Sequence, residues 1–171
     1  MTQIYYVVDA GVLFSPWKID IKDSLLVTTS NIINEIRNKP SKSRAETMIL
    51  LDRMLTTDPT SEYISRARDA AARSGDISVI SQNDIELVAL ALMLNDEGKT
   101  VVLVSTDFAV LNVTSLTGLN ILDPSKKFDQ KIVWGMRCPA CHYQEKTLRR
   151  ETECPVCGTQ MRRTPLKKRR L

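Results

Sequence analysis

The pattern of apolar and polar positions divides the first 124 residues into short apolar runs and longer helical stretches. The runs are rich in β-branched residues and mostly continuous rather than alternating, which predicts buried strands. Helical spacing predicts helices over residues 29–38, 44–55, 61–73, 85–95 and 106–116. Strands of this kind separated by helices predict an α/β fold, a parallel sheet flanked by helices on both faces. The predicted strands are Ile4–Val8, Ser24–Thr28, Ile77–Ile80, Val101–Val104 and Asn120–Leu122.

Local signals predict where several of these helices begin and end. Pro40 terminates the first pattern, because proline lacks the amide hydrogen that a helix interior needs. Gly75 ends the third, since glycine readily adopts the left-handed conformation of a helix C-terminus. Ser81 and Asp84 have the spacing of a capping box and open the helix at 85–95. That helix is apolar around most of its circumference, which predicts that it is largely buried.

After residue 124 the pattern changes to short segments punctuated by cysteine and proline. Such segments cannot bury a core without help from a metal or a disulfide. The chain is therefore predicted to have four parts. These are a globular domain at 1–124, a linker at 125–133, a cysteine-bearing ribbon at 134–160 and a basic tail at 161–171.

Charge is divided sharply along the chain. Residues 1–125 contain sixteen acidic and eleven basic side chains, whereas residues 126–171 contain four acidic and thirteen basic ones. A basic segment attached to an acidic domain attracts polyanions, and the alternative is a solvated tail. Contacts of this kind to phosphates supply affinity and salt dependence but little sequence selectivity. The candidate phosphate-contacting residues are Arg149, Arg150, Arg162, Arg163, Lys167 and Lys168.

Nothing in the sequence predicts export or membrane insertion. The apolar start at residues 4–13 is interrupted by Asp9 and has no basic leader, so it does not resemble a signal peptide. No stretch reaches the roughly 18 apolar residues that a membrane-spanning helix needs. We therefore expect a soluble cytoplasmic protein with no membrane partner.

All four cysteines lie in two C-x-x-C pairs, Cys138 with Cys141 and Cys154 with Cys157. Each tight turn directs two thiolates toward one point, so the two pairs predict a structural zinc site in a small ribbon. A disulfide pair and a redox dithiol are the alternatives. An intracellular location disfavours the disulfide, and the repetition of the motif disfavours the dithiol.

One position after each cysteine pair is expected to be left-handed. Gly158 follows the second pair and adopts this conformation easily. His142 stands at the equivalent place after the first pair, and it is the only histidine of the chain. Four thiolates already complete a tetrahedral site, so we expect His142 to be a surface structural residue rather than a ligand.

Four acidic residues fall where a parallel sheet and its helices collect ligands. Asp9 closes the first strand and Asp107 follows the strand at 101–104, so both are expected at the carboxyl edge of the sheet. Glu35 and Asp84, on helices, can reach the same cleft. Clustered carboxylates favour Mg²⁺ or Mn²⁺, which can activate a water and neutralise charge on a scissile phosphate.

Each acid also has a structural alternative. Asp84 completes a capping box, and Asp107 favours the positive end of its helix. Glu35 is equally compatible with a solvated helix face. Asp9 is the hardest to explain in this way, because an acid at the end of a buried strand needs a partner.

Several of these segments resemble the PIN-domain nucleases. The resemblance covers roughly residues 2–124. A PIN-like domain followed by a four-cysteine ribbon and a basic tail resembles the Nob endonucleases of archaea and eukaryotes over nearly the whole chain. The segments similar to PIN motifs are Val7-Val8-Asp9-Ala10, Asn34-Glu35-Ile36, Ser81 to Ala91 with Asp84, and Ser105-Thr106-Asp107, which resembles a Thr-Asp-Asp segment.

The resemblance implies an endonuclease that uses Mn²⁺ or Mg²⁺ to cut single-stranded RNA. It further implies that the ribbon and tail hold precursor rRNA on the pre-ribosomal small subunit, where the enzyme matures the 3′ end of the rRNA. Phe108 stands where the family commonly has a second acid, so at least one bound catalytic metal is expected. The catalytic residues and metal ligands that it implies are Asp9, Glu35, Asp84 and Asp107, with Thr106 shaping the site.

Two other functions remain open from the sequence. A non-catalytic RNA-binding assembly factor would retain the acids without turnover, and Phe108 is the feature that favours it. A PIN ribonuclease with a different RNA target, such as a toxin with a broad target, is the second. A toxin would usually be a compact single domain without a ribbon.

Overall fold

A computed structural model describes residues 3–14, 24–36, 39–146 and 152–171 of the chain. Two sheets are present in these residues, one with the strand order β3-β2-β1-β4-β5 and one with the order β7-β6-β8. The strands are β1 (Ile4–Val8), β2 (Ser24–Thr28), β3 (Met54–Thr56), β4 (Thr100–Val104), β5 (Asn120–Leu122), β6 (Gln130–Arg137), β7 (Gln144–Glu145) and β8 (Arg162–Arg170). The helices are α1 (Ala10–Phe14), α2 (Ser30–Glu35), α3 (Lys39–Leu50), α4 (Ser61–Ser74), α5 (Gln82–Asp96) and α6 (Phe108–Leu116).

The five-stranded sheet is parallel throughout, with β1 at its centre between β2 and β4. Val7, Leu103 and Val104 are fully buried, because apolar clusters pack on both faces of the sheet. Burying a side chain of this kind stabilises a fold by about 1.5–3 kcal/mol. The predicted α/β fold with a helix-covered parallel sheet is confirmed.

α5 runs through the larger core cluster. Nine of its fifteen residues are buried, as its uniformly apolar sequence predicts. The capping box at its start is also confirmed. The Asp84 amide donates to Ser81 Oγ at 3.1 Å, and the Ser81 amide donates back to the Asp84 carboxylate at 3.4 Å.

Some local predictions are wrong. Residues 77–80 form a turn instead of a strand, since the Val79 and Ile80 amides both donate to the Asp76 carbonyl. Pro40 does not end a helix but stands in the first turn of α3, where its missing amide removes no helical hydrogen bond. The predicted helix end at Asn38 lies outside the described residues.

The helix predicted over 44–55 begins and ends five residues earlier than expected. α3 ends at Leu50, and Met54 begins β3, which pairs in parallel with β2. Met54 is fully buried in this position. Strand pairing and burial therefore override the helical spacing of the local sequence.

The second sheet is antiparallel and lies against α4 and α6. β6 and β8 pair along their length, with a bulge between Val133 and Trp134. Asn112 of α6 fastens β6 in place, because its side chain accepts from the Ile132 amide and donates to the Ile132 carbonyl, both at 2.7 Å. None of the helices within the described ranges is both long and apolar enough to span a bilayer.

The C-terminal segment predicted as a tail is almost entirely a strand, and the predicted linker ends in the first residues of another. β6 begins at Gln130, inside the predicted linker, and the predicted tail at 161–171 contains β8. The physical reason is that each strand satisfies the backbone donors and acceptors of the other. The bases of β6 and β8 therefore have defined positions on a sheet.

Candidate functional site

The carboxylates predicted to converge lie at one edge of the parallel sheet. β1 and β4 are adjacent and in register, with Val8 opposite Val104. Asp9 follows the first of these residues and Ser105 the second, and Asp107 caps the N-terminus of α6. This is the carboxyl edge, where α/β proteins generally bind their ligands.

Asp9 is only 8% exposed, and several hydrogen bonds hold its carboxylate in place. Its Oδ1 accepts from the Val12 amide at 2.7 Å, and its Oδ2 accepts from Ser105 Oγ. Burial raises the pKa of Asp9 above its ordinary value, and the negative charge of Asp107 raises it further. The hydrogen bonds from Ser105, the Val12 amide and the Thr106 amide act in the opposite direction. Ser105 Oγ also accepts from the Asp107 amide at 3.0 Å, so one buried hydroxyl links two of the acids.

Asp84 faces the same site while it caps α5. Ser81 Oγ donates to its carboxylate at 2.7 Å. Burial raises the pKa of Asp84, and the charges of Asp107 and Asp9 add to this increase. The structural role in the capping box and the proximity to two other acids therefore coexist in one side chain.

Glu35 and Thr106 complete the set predicted from the sequence. Glu35 ends α2, and its Oε1 accepts from Asn83 Nδ2 at 2.5 Å, which connects it to the residue before Asp84. A Cβ atom placed on Gly11 would lie 3.4 Å from Asp9 Oδ1 and 3.6 Å from Thr106 Oγ1. The Asp9 carboxylate and the Thr106 hydroxyl therefore both lie next to Gly11.

Sequence analysis missed three residues of this site. Ser105 and Asn83 position acids through their side chains, and Gly11 leaves space beside Asp9. Ser105 was visible only as part of a motif. A buried serine directly after a central strand is the signal that points to it.

The donor set of the site fits a divalent cation. Carboxylate oxygens are the ligands that Mg²⁺ and Mn²⁺ prefer, and neighbouring carboxylates repel one another without a cation. Among the described residues, only the cysteines form a group whose ligand atoms all lie within 4.8 Å of one another. The acids instead accept from local donors, as Asp107 Oδ1 does from the Ala109 amide at 2.7 Å.

Phe108 occupies the position at which the family of the resemblance commonly has a second acid. Its ring lies 5.0 Å from that of Phe128, with the planes tilted by 60°. Phe128 is buried and lies just ahead of β6. Phe108 thus packs against the segment that leads into the second sheet.

The four cysteines converge as predicted. Cys138 and Cys157 Sγ lie 3.4 Å apart, and Cys141 and Cys154 Sγ lie 3.5 Å apart. All four Sγ atoms fall within 4.8 Å of one another. This is a candidate metal centre whose four thiol ligands leave no open coordination position.

The two cysteine turns have the same backbone geometry. The His142 amide donates to the Cys138 carbonyl at 3.1 Å, and the Gly158 amide donates to the Cys154 carbonyl at 2.9 Å. His142 has φ 62° and Gly158 has φ 73°, so both are left-handed as expected. His142 is exposed and is not part of the thiol cluster.

The basic residues differ in what they contact. Arg162, Lys167 and Lys168 are exposed on β8. Arg163 instead forms an ion pair with Asp76 and stacks over the Trp134 ring at 4.1 Å, so its charge is used within the protein. The other two predicted contacts, Arg149 and Arg150, lie outside the described residues.

Comparisons with known proteins point to one enzyme class. A family profile described as the PIN domain of ribonuclease matches residues 6–94. The chain is 29% identical to Ribonuclease VapC1 of Thermoplasma acidophilum over 92% of its length and 77% of the relative. It is 27% identical to Endoribonuclease Nob1 of Pyrococcus abyssi, covering 83% of this chain and 85% of the relative. It is 26% identical to Endoribonuclease Nob1 of Methanocaldococcus jannaschii, covering 95% and 79%.

Proposed function

The chain belongs to the PIN-domain family of ribonucleases, and from this premise we propose that it cleaves single-stranded precursor rRNA at the 3′ end of the small-subunit rRNA during ribosome assembly. That it is an endoribonuclease follows from the family and from the relatives that it matches along most of its length. The finer proposal is supported by the Nob1 relatives and by the basic second sheet. We place this activity in the cytoplasm, on the pre-ribosomal small subunit.

The arrangement of Asp9, Asp84 and Asp107 around the carboxyl edge of the parallel sheet is the observation that carries the proposal. Burial and neighbouring charge raise the pKa values of both Asp9 and Asp84, which is typical of a carboxylate site prepared for a cation. Asp9, Asp84 and Asp107 would hold Mn²⁺ or Mg²⁺, with Glu35 beside them. The bound ion supplies an activated water and neutralises charge on the scissile phosphate.

Residues around these acids position them for that role. Ser105 and the Val12 amide fix both oxygens of Asp9, and Ser81 orients Asp84. The Thr106 hydroxyl lies next to Gly11, as the Asp9 carboxylate does, and would contact a ligand of the site. Asn83 restrains Glu35 at the edge of the cluster.

The cysteine centre has a different role in this proposal. Four thiolates suit Zn²⁺, and a closed tetrahedral site supports structure rather than catalysis. The two turns would therefore anchor the ribbon of residues 134–160 next to the nuclease domain of residues 1–124. Arg162 and Lys167 of β8 would contribute phosphate contacts, and Arg163, which pairs with Asp76, is no longer part of that set.

A second candidate is a ribonuclease with a different RNA target. The match to Ribonuclease VapC1 covers 92% of the chain, so it extends into the cysteine-bearing part. The ribbon therefore does not by itself select the rRNA target. The two candidates share the carboxylate site and differ in the RNA that they recognise.

Metal-dependent cleavage by the full chain tests the activity. We expect wild-type protein with Mn²⁺ to cut a single-stranded RNA that spans a small-subunit rRNA 3′ end at a discrete position. Asp9→Asn should lose this cleavage, whereas Asp69→Asn, which removes an exposed acid on α4, should retain it. Equal cleavage by the wild type and Asp9→Asn would contradict the site assignment.

An unrelated single-stranded RNA and a transfer RNA, tested beside the rRNA substrate, separate the two targets. A discrete cut in the rRNA substrate alone supports the rRNA proposal. Cleavage of the other RNAs at an equal or greater rate favours the second candidate.

A further inference from the structure

A groove runs along one face of the β6–β8 ribbon, beside α6 and α4. Its central cavity has a volume of about 320 Å³ and contains the C-terminal end of α6. Two adjoining cavities of about 200 and 460 Å³ share Val133 with it. The central cavity is lined by Ser115, Leu116, Lys131, Val133, Lys167 and Arg169, together with Gly118.

The groove combines positive walls with an apolar floor. Lys131, Lys167 and Arg169 line the central cavity, and Arg73 lines the smaller one. Leu116 is 40% exposed and forms the floor with Val133. Among the described residues, no acid lines these two cavities, and in the third cavity Glu145 lies beside Lys146 and Lys167. Lys131 Nζ is fixed by its hydrogen bond to the Ser115 carbonyl at 2.8 Å.

The register of β6 and β8 separates the bases onto two faces. Lys167 lies opposite Val133 and Arg169 lies opposite Lys131, so these pairs share the groove face. Lys168 and Arg170 alternate with them and lie on the other face. The terminal basic run is therefore divided in two by strand geometry.

We propose that this groove binds the sugar–phosphate backbone of single-stranded RNA, with a ribose or base against Leu116 and Val133. The inference rests on the proposed function and adds a binding surface outside the carboxylate site. Leu116 lies nine positions after Asp107, roughly 13 Å along the axis of α6. The groove thus holds a part of the substrate that lies away from the bond that is cut.

Complementary charge selects this occupant. Phosphates compensate the cations on the walls, and the exposed apolar floor suits the stacking or packing of nucleotides. An acidic protein or a second copy of the chain is the competing occupant. If the groove binds one of these instead, substitution of its basic residues would weaken that interaction and leave RNA binding unchanged.

The test compares two double variants of the full chain in the Asp9→Asn background, which prevents cleavage. Lys167→Gln/Arg169→Gln neutralises the groove face, and Lys168→Gln/Arg170→Gln removes the same charge from the other face of the same strand. Affinity for a single-stranded RNA of about 20 nucleotides is measured by fluorescence anisotropy over a range of salt concentrations. Circular dichroism and thermal unfolding check that both variants are folded.

We expect the groove variant to bind RNA about tenfold more weakly. The slope of log K against log salt concentration should fall in magnitude by about 1.4, the value for two lost phosphate contacts to a single strand. The other variant should lose less than about twofold. Equal losses in both variants, or no loss in either, would overturn the groove. Unchanged RNA binding with an altered oligomeric state would overturn it in favour of an interface between copies.

Cleavage of the same RNA by protein with Asp9 intact separates this inference from the proposed function. Face-selective binding without any cleavage supports the groove and contradicts the proposed function. Cleavage of the RNA, together with equal losses of RNA affinity in both double variants, supports the proposed function and overturns the groove.

Discussion

Arg163 Nη2 lies 2.6 Å from Oδ1 of Asp76, and this ion pair joins β8 to the turn that precedes α5. Asp76 is 1% exposed, and Asn112 Nδ2 donates to its other oxygen at 2.7 Å. Arg163 also donates to the Gly75 carbonyl at 3.0 Å. Burial raises the pKa of Asp76, while the hydrogen bonds from Asn112 and Ser74 and the charge of Arg163 oppose that increase. The pair thus secures the second sheet against the domain that contains the carboxylates.

Removal of one partner should be strongly destabilising. We expect Arg163→Met to lower the free energy of unfolding by about 3–5 kcal/mol, because it leaves Asp76 buried without its cation. Arg162→Met, at an exposed neighbour, should change it by less than about 0.5 kcal/mol. Urea unfolding measures both. Adding Asp76→Asn to Arg163→Met should recover part of the loss, and a double variant no better than the single one would contradict the ion-pair explanation.

Gly75 allows the second sheet to approach closely. It has φ 75°, and a Cβ atom there would lie 2.7 Å from the Trp134 carbonyl oxygen. Gly118 has φ 86° but nothing within 4 Å of a Cβ, so it is the matched control. Left-handed strain costs about 1–2 kcal/mol at either position. Gly75→Ala should therefore cost about 1–3 kcal/mol more than Gly118→Ala in urea unfolding, and equal losses would exclude the close approach.

Asp9 is expected to reduce stability in return for metal binding. A carboxyl with a raised native pKa retains its proton in the folded state, so stability falls as the pH rises from the ordinary value of 3.8 through the native value. At neutral pH, without Mn²⁺ or Mg²⁺, Asp9→Asn should be about 1 kcal/mol more stable than the wild type. Thermal unfolding with and without Mn²⁺ measures this. Mn²⁺ should stabilise the wild type more than the variant, and the opposite order would refute the metal site.

Ser105 should act through the acids that it contacts. Ser105→Ala removes the donor to Asp9 and the acceptor of the Asp107 amide. We expect the Mn²⁺ concentration for half-maximal cleavage to rise about tenfold or more, as it does when groups that orient metal ligands are lost. Ser105→Thr retains the hydroxyl and should stay nearer the wild type. A fall in maximal rate with no change in Mn²⁺ dependence would argue against this positioning role.

The cysteine centre should hold one zinc ion per chain. Cys154→Ser should lose most of the bound zinc and unfold at a lower temperature, because metal binding and folding are coupled in small ribbons. His142→Gly should keep the zinc and gain about 1 kcal/mol, since it relieves a left-handed residue at φ 62°. Elemental analysis and thermal unfolding provide the readouts. Loss of zinc in His142→Gly would identify the histidine as a ligand.

The parts of the fold that were predictable depend on local signals. β1 and β4 follow from apolar runs, and the start of α5 follows from the Ser81 and Asp84 spacing. Residues 77–80 have a similar apolar run but form a turn, because the Asp76 carbonyl accepts their amides. β3 was not predicted, because only its pairing with β2 makes Met54 a strand residue.

The candidate site likewise has residues that were predictable from the sequence and relationships that required the structure. Asp9 and Asp107 were predictable because parallel strands deliver their ends to one edge. The effect of Asp107 on the pKa values of Asp9 and Asp84 required their spatial arrangement. The hydrogen bonds from Ser105 to Asp9 and from Asn83 to Glu35 join residues far apart in the sequence, so they depend on the fold.

The sequence by itself determined β1 and β4, the capping box and the cysteine pairs, since each depends on residues only a few positions apart. Only the tertiary structure decided which bases stay available to a ligand. Arg163 forms an ion pair with Asp76, which is 87 positions away in the sequence. The pairing of β8 with β6 places Lys167 and Lys168 on opposite faces of the sheet. A charge in a terminal run carries no local mark of its partner, because the partner is chosen by packing and strand register.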